Sequence, residues 1–129
     1  MPELVEVRTD QAPLPFRGAP YSQAVTLGEL VFVSGQIAID PATNTFADGS
    51  VREQAERVFS NLSAILNAAG SSLEKVARTT VYLDDINDFE AMNEVYALHV
   101  SEPAPARSTI EVSRLPAGAL IEIDVIAHL

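Results

Sequence analysis

One segment leaves the chain few folds to choose from. Ser50-Val51-Arg52-Glu53 opens as a capping box, with Ser50 as N-cap and Glu53 three residues on. Ala55, Val58, Phe59, Leu62, Ile65, Leu66 and Ala69 then recur at helical spacing, and Gly70 follows as a C′ glycine. A helix that is apolar along one stripe must bury that stripe against something. The segments on either side read as strands, so the partner is a sheet.

Glu3 to Thr9 alternates weakly and reads as a first strand. Gln11 to Pro20 is rich in proline and reads as a loop. Ser22 to Thr26 and Leu30 to Ser34 are β-rich and are joined by the hairpin signal Leu27-Gly28-Glu29. Asp40-Pro41-Ala42-Thr43-Asn44 is turn chemistry. Val76 to Leu83 reads as a strand. Asp88 is predicted to cap a second helix that carries Phe89, Met92, Val95 and Tyr96 on one face. The proline-rich run Ser101 to Ala106 stops that helix. Arg107 to Arg114 and Ala119 to Ala127 are the last strands, joined by Leu115-Pro116-Ala117-Gly118.

The order is three strands, a helix, a strand, a helix and two strands, in one domain over residues 1–129. One sheet with two helices on one face satisfies it. On the penultimate strand, Arg107, Thr109, Glu111 and Ser113 form one set, and Ser108, Ile110, Val112 and Arg114 the other. On the last, Glu122 and Asp124 oppose Ile121, Ile123 and Val125. One face is apolar enough for the helices. The other mixes polar and aliphatic groups and is a surface for burial against other subunits.

Composition removes several chemistries. The chain has no cysteine, which excludes disulfides, thiolate catalysis and thiolate metal sites. Its single lysine, Lys75, lies beside Glu74 without a neighbour that would lower its pKa. His99 and His128 are far apart and neither sits in a ligand-spaced cluster, so no metal is expected. The formal net charge of −10 argues against nucleic-acid binding. No apolar run is long enough to span a bilayer, and Met1 to Glu6 lacks the features of a signal peptide. A cytoplasmic protein is expected.

A small anionic ligand of so acidic a chain needs a local cation. Arg107, delivered by a proline-led loop to the start of a strand, is a preorganised two-pronged donor for a carboxylate. The bland alternative is an ordinary strand-end surface arginine.

Several stretches together resemble the RidA/YjgF family of reactive intermediate (enamine/imine) deaminases. They are Ala19-Pro20-Tyr21-Ser22-Gln23-Ala24-Val25, Val33-Ser34-Gly35-Gln36-Ile37, Asp40-Pro41-Ala42-Thr43, Asn61-Leu62, Met92-Asn93-Glu94-Val95-Tyr96, Pro105-Ala106-Arg107-Ser108-Thr109 and Leu115-Pro116 with Ile121-Glu122-Ile123. The order is kept from Pro20 onward. The resemblance implies a chorismate-mutase-like α+β fold, a six-stranded sheet with two helices on one face. It also implies a homotrimeric barrel with sites between subunits. The implied reaction is cofactor-free hydrolysis of 2-imino acids and their enamines, such as 2-iminobutanoate and 2-iminopropanoate, to 2-oxo acids and ammonia. Relatives that bind ligands without catalysis, and an endoribonuclease label within the family, supply the alternatives.

The same resemblance implies roles for single residues. Arg107 grips the substrate carboxylate and Glu122 positions or activates the attacking water. Tyr21 lines the pocket. Ser34 and Gly35 let a strand approach the ligand, although Gly35 alone also suits a bulge. Asn93 lies near the site from the second helix, and Thr109 contacts the imine through its main chain. Two places depart from the common pattern: Pro15-Phe16-Arg17-Gly18, and Tyr96-Ala97-Leu98-His99-Val100. Both bear on side-chain preference more than on chemistry.

Overall fold

A computed structural model describes residues 1–129. Strands β1 (Leu4–Val7), β2 (Ala24–Leu27) and β3 (Leu30–Gln36) form an antiparallel meander. A two-stranded ribbon, β4 (Ile39–Asp40) and β5 (Thr45–Phe46), closes around the turn read at residues 40–44. Then come α1 (Val51–Ala68), β6 (Val76–Leu83), α2 (Phe89–His99), β7 (Ala106–Glu111) and β8 (Ile121–His128). The main sheet has six strands in the order β1-β2-β3-β8-β6-β7. Only β6 and β7 run parallel, and α2 makes the crossover that a parallel pair needs.

The start of α1 matches the sequence reading. Ser50 Oγ accepts from Glu53 N at 3.2 Å and Glu53 Oε1 accepts from Ser50 N at 3.1 Å. Gly70, at φ +88°, takes the left-handed conformation that ends the helix. The start of α2 differs. Asp88 stands at the N-cap position, but its side chain makes no capping bond. A short 3₁₀ turn, Ile86–Asp88, precedes the helix, and Asp85 caps that turn instead by accepting from Asn87 N at 2.9 Å. The cap therefore acts one turn early, and the Asp88 backbone is already near-helical at φ −81°, ψ 3°.

Both helices lie on one face of the sheet, over Val31, Val33, Val81, Leu83, Ile121, Ile123 and Val125. At about 25 cal/mol per Å² of apolar surface, this layer is the main source of stability. Three buried amides then tie loops to it. Gln54 accepts from Leu120 N at 2.8 Å, and Asn61 donates to Ile39 O at 2.9 Å. Gln23, 2% exposed, holds the N-terminal loop from both ends of its amide. Its Oε1 accepts from Thr9 N at 2.8 Å, and its Nε2 donates to Thr9 O at 2.9 Å and Pro13 O at 2.8 Å.

Gln23→Leu should therefore cost about 2–4 kcal/mol, because it strands several main-chain groups at once. Urea denaturation measures this. A loss below about 0.5 kcal/mol would mean that solvent takes over these bonds at no cost.

Candidate functional site

Strand register decides where the predicted site residues go. Thr79 of β6 stands opposite Arg107 on one side and Val125 on the other, so these three share the helix-covered face. Val81 likewise aligns Thr109 with Ile123. Tyr82 aligns Ile110 with Glu122 on the opposite, uncovered face. Arg107 and Glu122 thus lie on opposite faces of one sheet. They are about 10 Å apart along the strands and about 10 Å across them.

Arg107 is the polar member of a hydrophobic seat. Its guanidinium carbon lies 4.6 Å from the Tyr96 ring centre and 5.5 Å from that of Phe89, and Nη1 is 4.0 Å from Met92 Sδ. Aromatic faces attract a cation without neutralising it. Arg107 makes no salt bridge. Tyr96 is fixed in turn by a 2.8 Å bond between its hydroxyl and Thr79 Oγ1. Thr109, two residues along the same face, has a buried Oγ1 with no hydrogen-bond partner. Asn93, half-buried, follows Met92 on α2 and forms no side-chain hydrogen bond of its own. Arg107 and Thr109 therefore lie on the α2 side of the edge strand β7, and Asn93 is next to Met92 on that helix.

The other predicted residues gather elsewhere. Glu122, Tyr21 and Gly35 line a small cavity of about 40 Å³, with Gln36, Ile37 and Pro116 among its other wall residues. Burial first, and the Asp124 carboxylate second, raise the Glu122 pKa from the usual carboxylate value. Gly35 is needed for close approach: a Cβ there would lie 2.8 Å from Glu122 Cδ. The pairing of β3 with β8 slips here, since Val33 opposes Val125 but Gln36 opposes Ile123. Ser34 and Gly35 thus form a bulge that aims the strand at Glu122. Tyr21 is 40% exposed, its hydroxyl accepting from Phe16 N at 2.8 Å.

Ser34 does not join this cavity. Its hydroxyl donates to Ser22 O at 2.6 Å, and it lines a shallow neighbouring groove with Phe32 and Val25. Its role in the bulge is through the backbone. The histidines have structural partners: His99 Nε2 is 3.0 Å from Glu56 Oε2 and its ring stacks on Phe59, and His128 Nδ1 contacts Leu129 O at 2.8 Å.

Two residues escaped the sequence reading. Gln23 lines the cavity and pins its loop, and Tyr82 donates to Asp124 Oδ2 at 2.9 Å beside Glu122. A glutamine inside a loop-to-strand motif, and a strand tyrosine whose partner is 42 residues away, give no local signal.

The architecture defines a two-layer α+β protein with a cationic seat on one sheet face and a half-buried carboxylate on the other. The match of residues 10–129 to the family model described as Endoribonuclease L-PSP gives that class a name. The chain belongs to this family, also known as RidA/YjgF. A RutC family protein of Pyrococcus abyssi is 51% identical over 120 residues, 93% of each chain. Reactive Intermediate Deaminase A, chloroplastic, of Arabidopsis thaliana is 44% identical over 123 residues, 95% of this chain and 65% of that longer protein. The crystal structure of RidA from the Antarctic bacterium Psychrobacter sp. PAMC 21119 superposes with a TM-score of 0.89 at 43% identity, covering 95% of this chain and 98% of that one.

The raised Glu122 pKa carries a stability prediction. Its favourable contribution is complete below the unfolded carboxylate value and is lost as pH rises through the folded one. Glu122→Gln should therefore raise the melting temperature at pH 7, and the gain should shrink toward pH 4. A gain that grew on acidification would contradict the assigned cause. Gly35→Ala should remove the benefit of close approach by displacing the Glu122 carboxylate, and should destabilise the fold at any pH.

Proposed function

We propose that this protein hydrolyses 2-imino acids and their enamine tautomers, such as 2-iminobutanoate and 2-iminopropanoate, to 2-oxo acids and ammonia. The observation that carries this reading is Arg107. It is a cation held on aromatic rings, free of acidic partners, in a chain of net charge −10. Such a group fits an anion brought from outside. The deaminase relative supports the same chemistry. Endoribonuclease activity fits less well, because a polyanion meets a chain with 18 acidic and 8 basic residues.

The reaction asks little of the protein. Arg107 holds the substrate carboxylate and so fixes C2. Glu122 takes a proton from water as the C2–O bond forms. As that bond forms, the C=N π pair moves to the nitrogen of the protonated imine and gives a carbinolamine. Glu122 then returns its proton to nitrogen, the C2–N bond breaks as the oxygen lone pair forms C2=O, and the hydroxyl proton goes to the departing ammonia, leaving the 2-oxo acid. A carboxylate with a raised pKa is a stronger base for that step. Imines hydrolyse readily in water, so orientation and one base supply most of the acceleration required.

Because Arg107 and Glu122 lie on opposite faces, no single chain unites them. A working site takes Arg107, Thr109 and Asn93 from one copy and Glu122, Tyr21 and Gly35 from the next. The uncovered face carries the apolar groups Val25, Phe32, Ile110 and Ile126 for such packing. A cyclic trimer with the sheets inside satisfies both demands.

Light scattering should return about 41 kDa, three times the 13.8 kDa chain. A stable monomer would remove the shared site. Arg107→Ala should lower kcat/KM by roughly 30- to 1000-fold, as loss of a desolvated charge-assisted pair implies. Arg107→Lys should recover little of it. Competition with semicarbazide for an enzymatically generated imine measures these rates. Arg107→Ala and Glu122→Gln chains, each inactive or slow alone, should regain activity when co-assembled. Under random mixing roughly one quarter of shared sites are intact. No recovery would place both groups in one chain's site and overturn the shared arrangement.

A further inference from the structure

The N-terminal loop holds two cations that hydrolysis of a simple imine leaves unused. An open groove of about 460 Å³ runs along this loop, with Arg8, Arg17 and Asn44 among its lining residues. It adjoins the Glu122 cavity, because Leu14, Phe16 and Tyr21 line both. Tyr21 is the partition. The Phe16 N–H bond to its hydroxyl and the edge-on contact of the two rings, at 6.4 Å, hold it there.

Neither Arg8 nor Arg17 forms a salt bridge. Most other basic side chains are engaged. Arg52 pairs with Glu94, Arg78 bonds Ser108 at 2.9 Å, Arg57 reaches Asn61 and Arg107 rests on its aromatic rings. Lys75 and Arg114 are also unpaired, but they line no cavity. Two free guanidinium groups in one groove, next to the carboxylate cavity, are a concentration of positive charge in an acidic chain.

We propose that Arg17, backed by Arg8, determines side-chain specificity and selects 2-imino acids that carry a second carboxylate. This rests on the imine-hydrolysis reading and narrows its substrate class. On one chain the Glu122 cavity is much narrower than the groove beside it, about 40 Å³ against about 460 Å³ on the same measure. The groove that opens beside it past Tyr21 is the wider space for a substrate side chain. There a terminal carboxylate meets a planar, bidentate donor, whereas a basic side chain meets two like charges. An aliphatic side chain gains only contact with Leu14 and Phe16.

The test compares imines made in place by amino-acid oxidases, one set from aspartate and glutamate and one from a neutral aliphatic amino acid. The wild-type trimer should favour the acidic imines by roughly tenfold or more in kcat/KM. Arg17→Ala should abolish that preference through KM, while turnover of the neutral imine stays within about twofold of wild type. Arg17→Lys should retain part of the preference, and added salt should erode it, since both groups are exposed. Equal rates for both imine classes in the wild type would overturn the inference and leave imine hydrolysis standing. Equal losses on both in Arg17→Ala would make Arg17 a structural loop residue and also overturn it. If neither imine class is turned over, the hydrolysis reading itself fails, and the specificity inference fails with it.

Discussion

The register of β6 between its two neighbours governs the molecule. Thr79, Val81 and Leu83 face the helices, and they carry Arg107, Thr109 and Glu111 to that face through one ladder. Through the other they align Val125, Ile123 and Ile121. A slip of one residue on either side would exchange the faces of every partner. The bond between Thr79 and Tyr96 hydroxyls secures this register from outside the sheet, because it fixes β6 to α2. Tyr96 is also the ring on which Arg107 rests most closely. The bond that ties β6 to α2 therefore also fixes the ring on which the cation rests.

Local signals made much of this legible. The capping box and glycine of α1 are complete in the sequence, because each depends on residues only a few positions apart. The order of strands and the two-helix layer follow from periodicity in the same way. Residue motifs also identified the side chains that gather at the cationic seat and at the carboxylate cavity. What could not be read is which set of an alternating strand faces inward. On β7 the set with Arg107, Thr109 and Glu111 faces the helices, while the aliphatic Ile110 lies 44% exposed on the other side. Alternation names two sets, but only pairing with β6, many residues away, tells them apart. Asp88 failed as a cap for a related reason: the 3₁₀ turn before it had already taken the chain into helical geometry.

Charge is distributed with the same logic. Glu122, Asp124 and Tyr82 cluster on the uncovered face, and burial works against ionisation of Glu122 there. Arg107 is on the far side of the sheet from them. Within one chain Arg107 therefore has no acidic partner, and Glu122 has no basic one to hold its pKa down. The sheet presents the two groups to different surfaces of the chain.

The clamp made by Gln23 has a further consequence. Its amide holds the loop at Thr9, Ala12 and Pro13, all before the loop's tip. The tip from Leu14 to Ala19 is anchored at its base whatever side chains it carries. The protein can thus rewrite that short stretch without reopening the core or disturbing the bulge at Gly35. Ligand preference and foldedness are carried by separate parts of the chain, so one can drift while the other stays fixed.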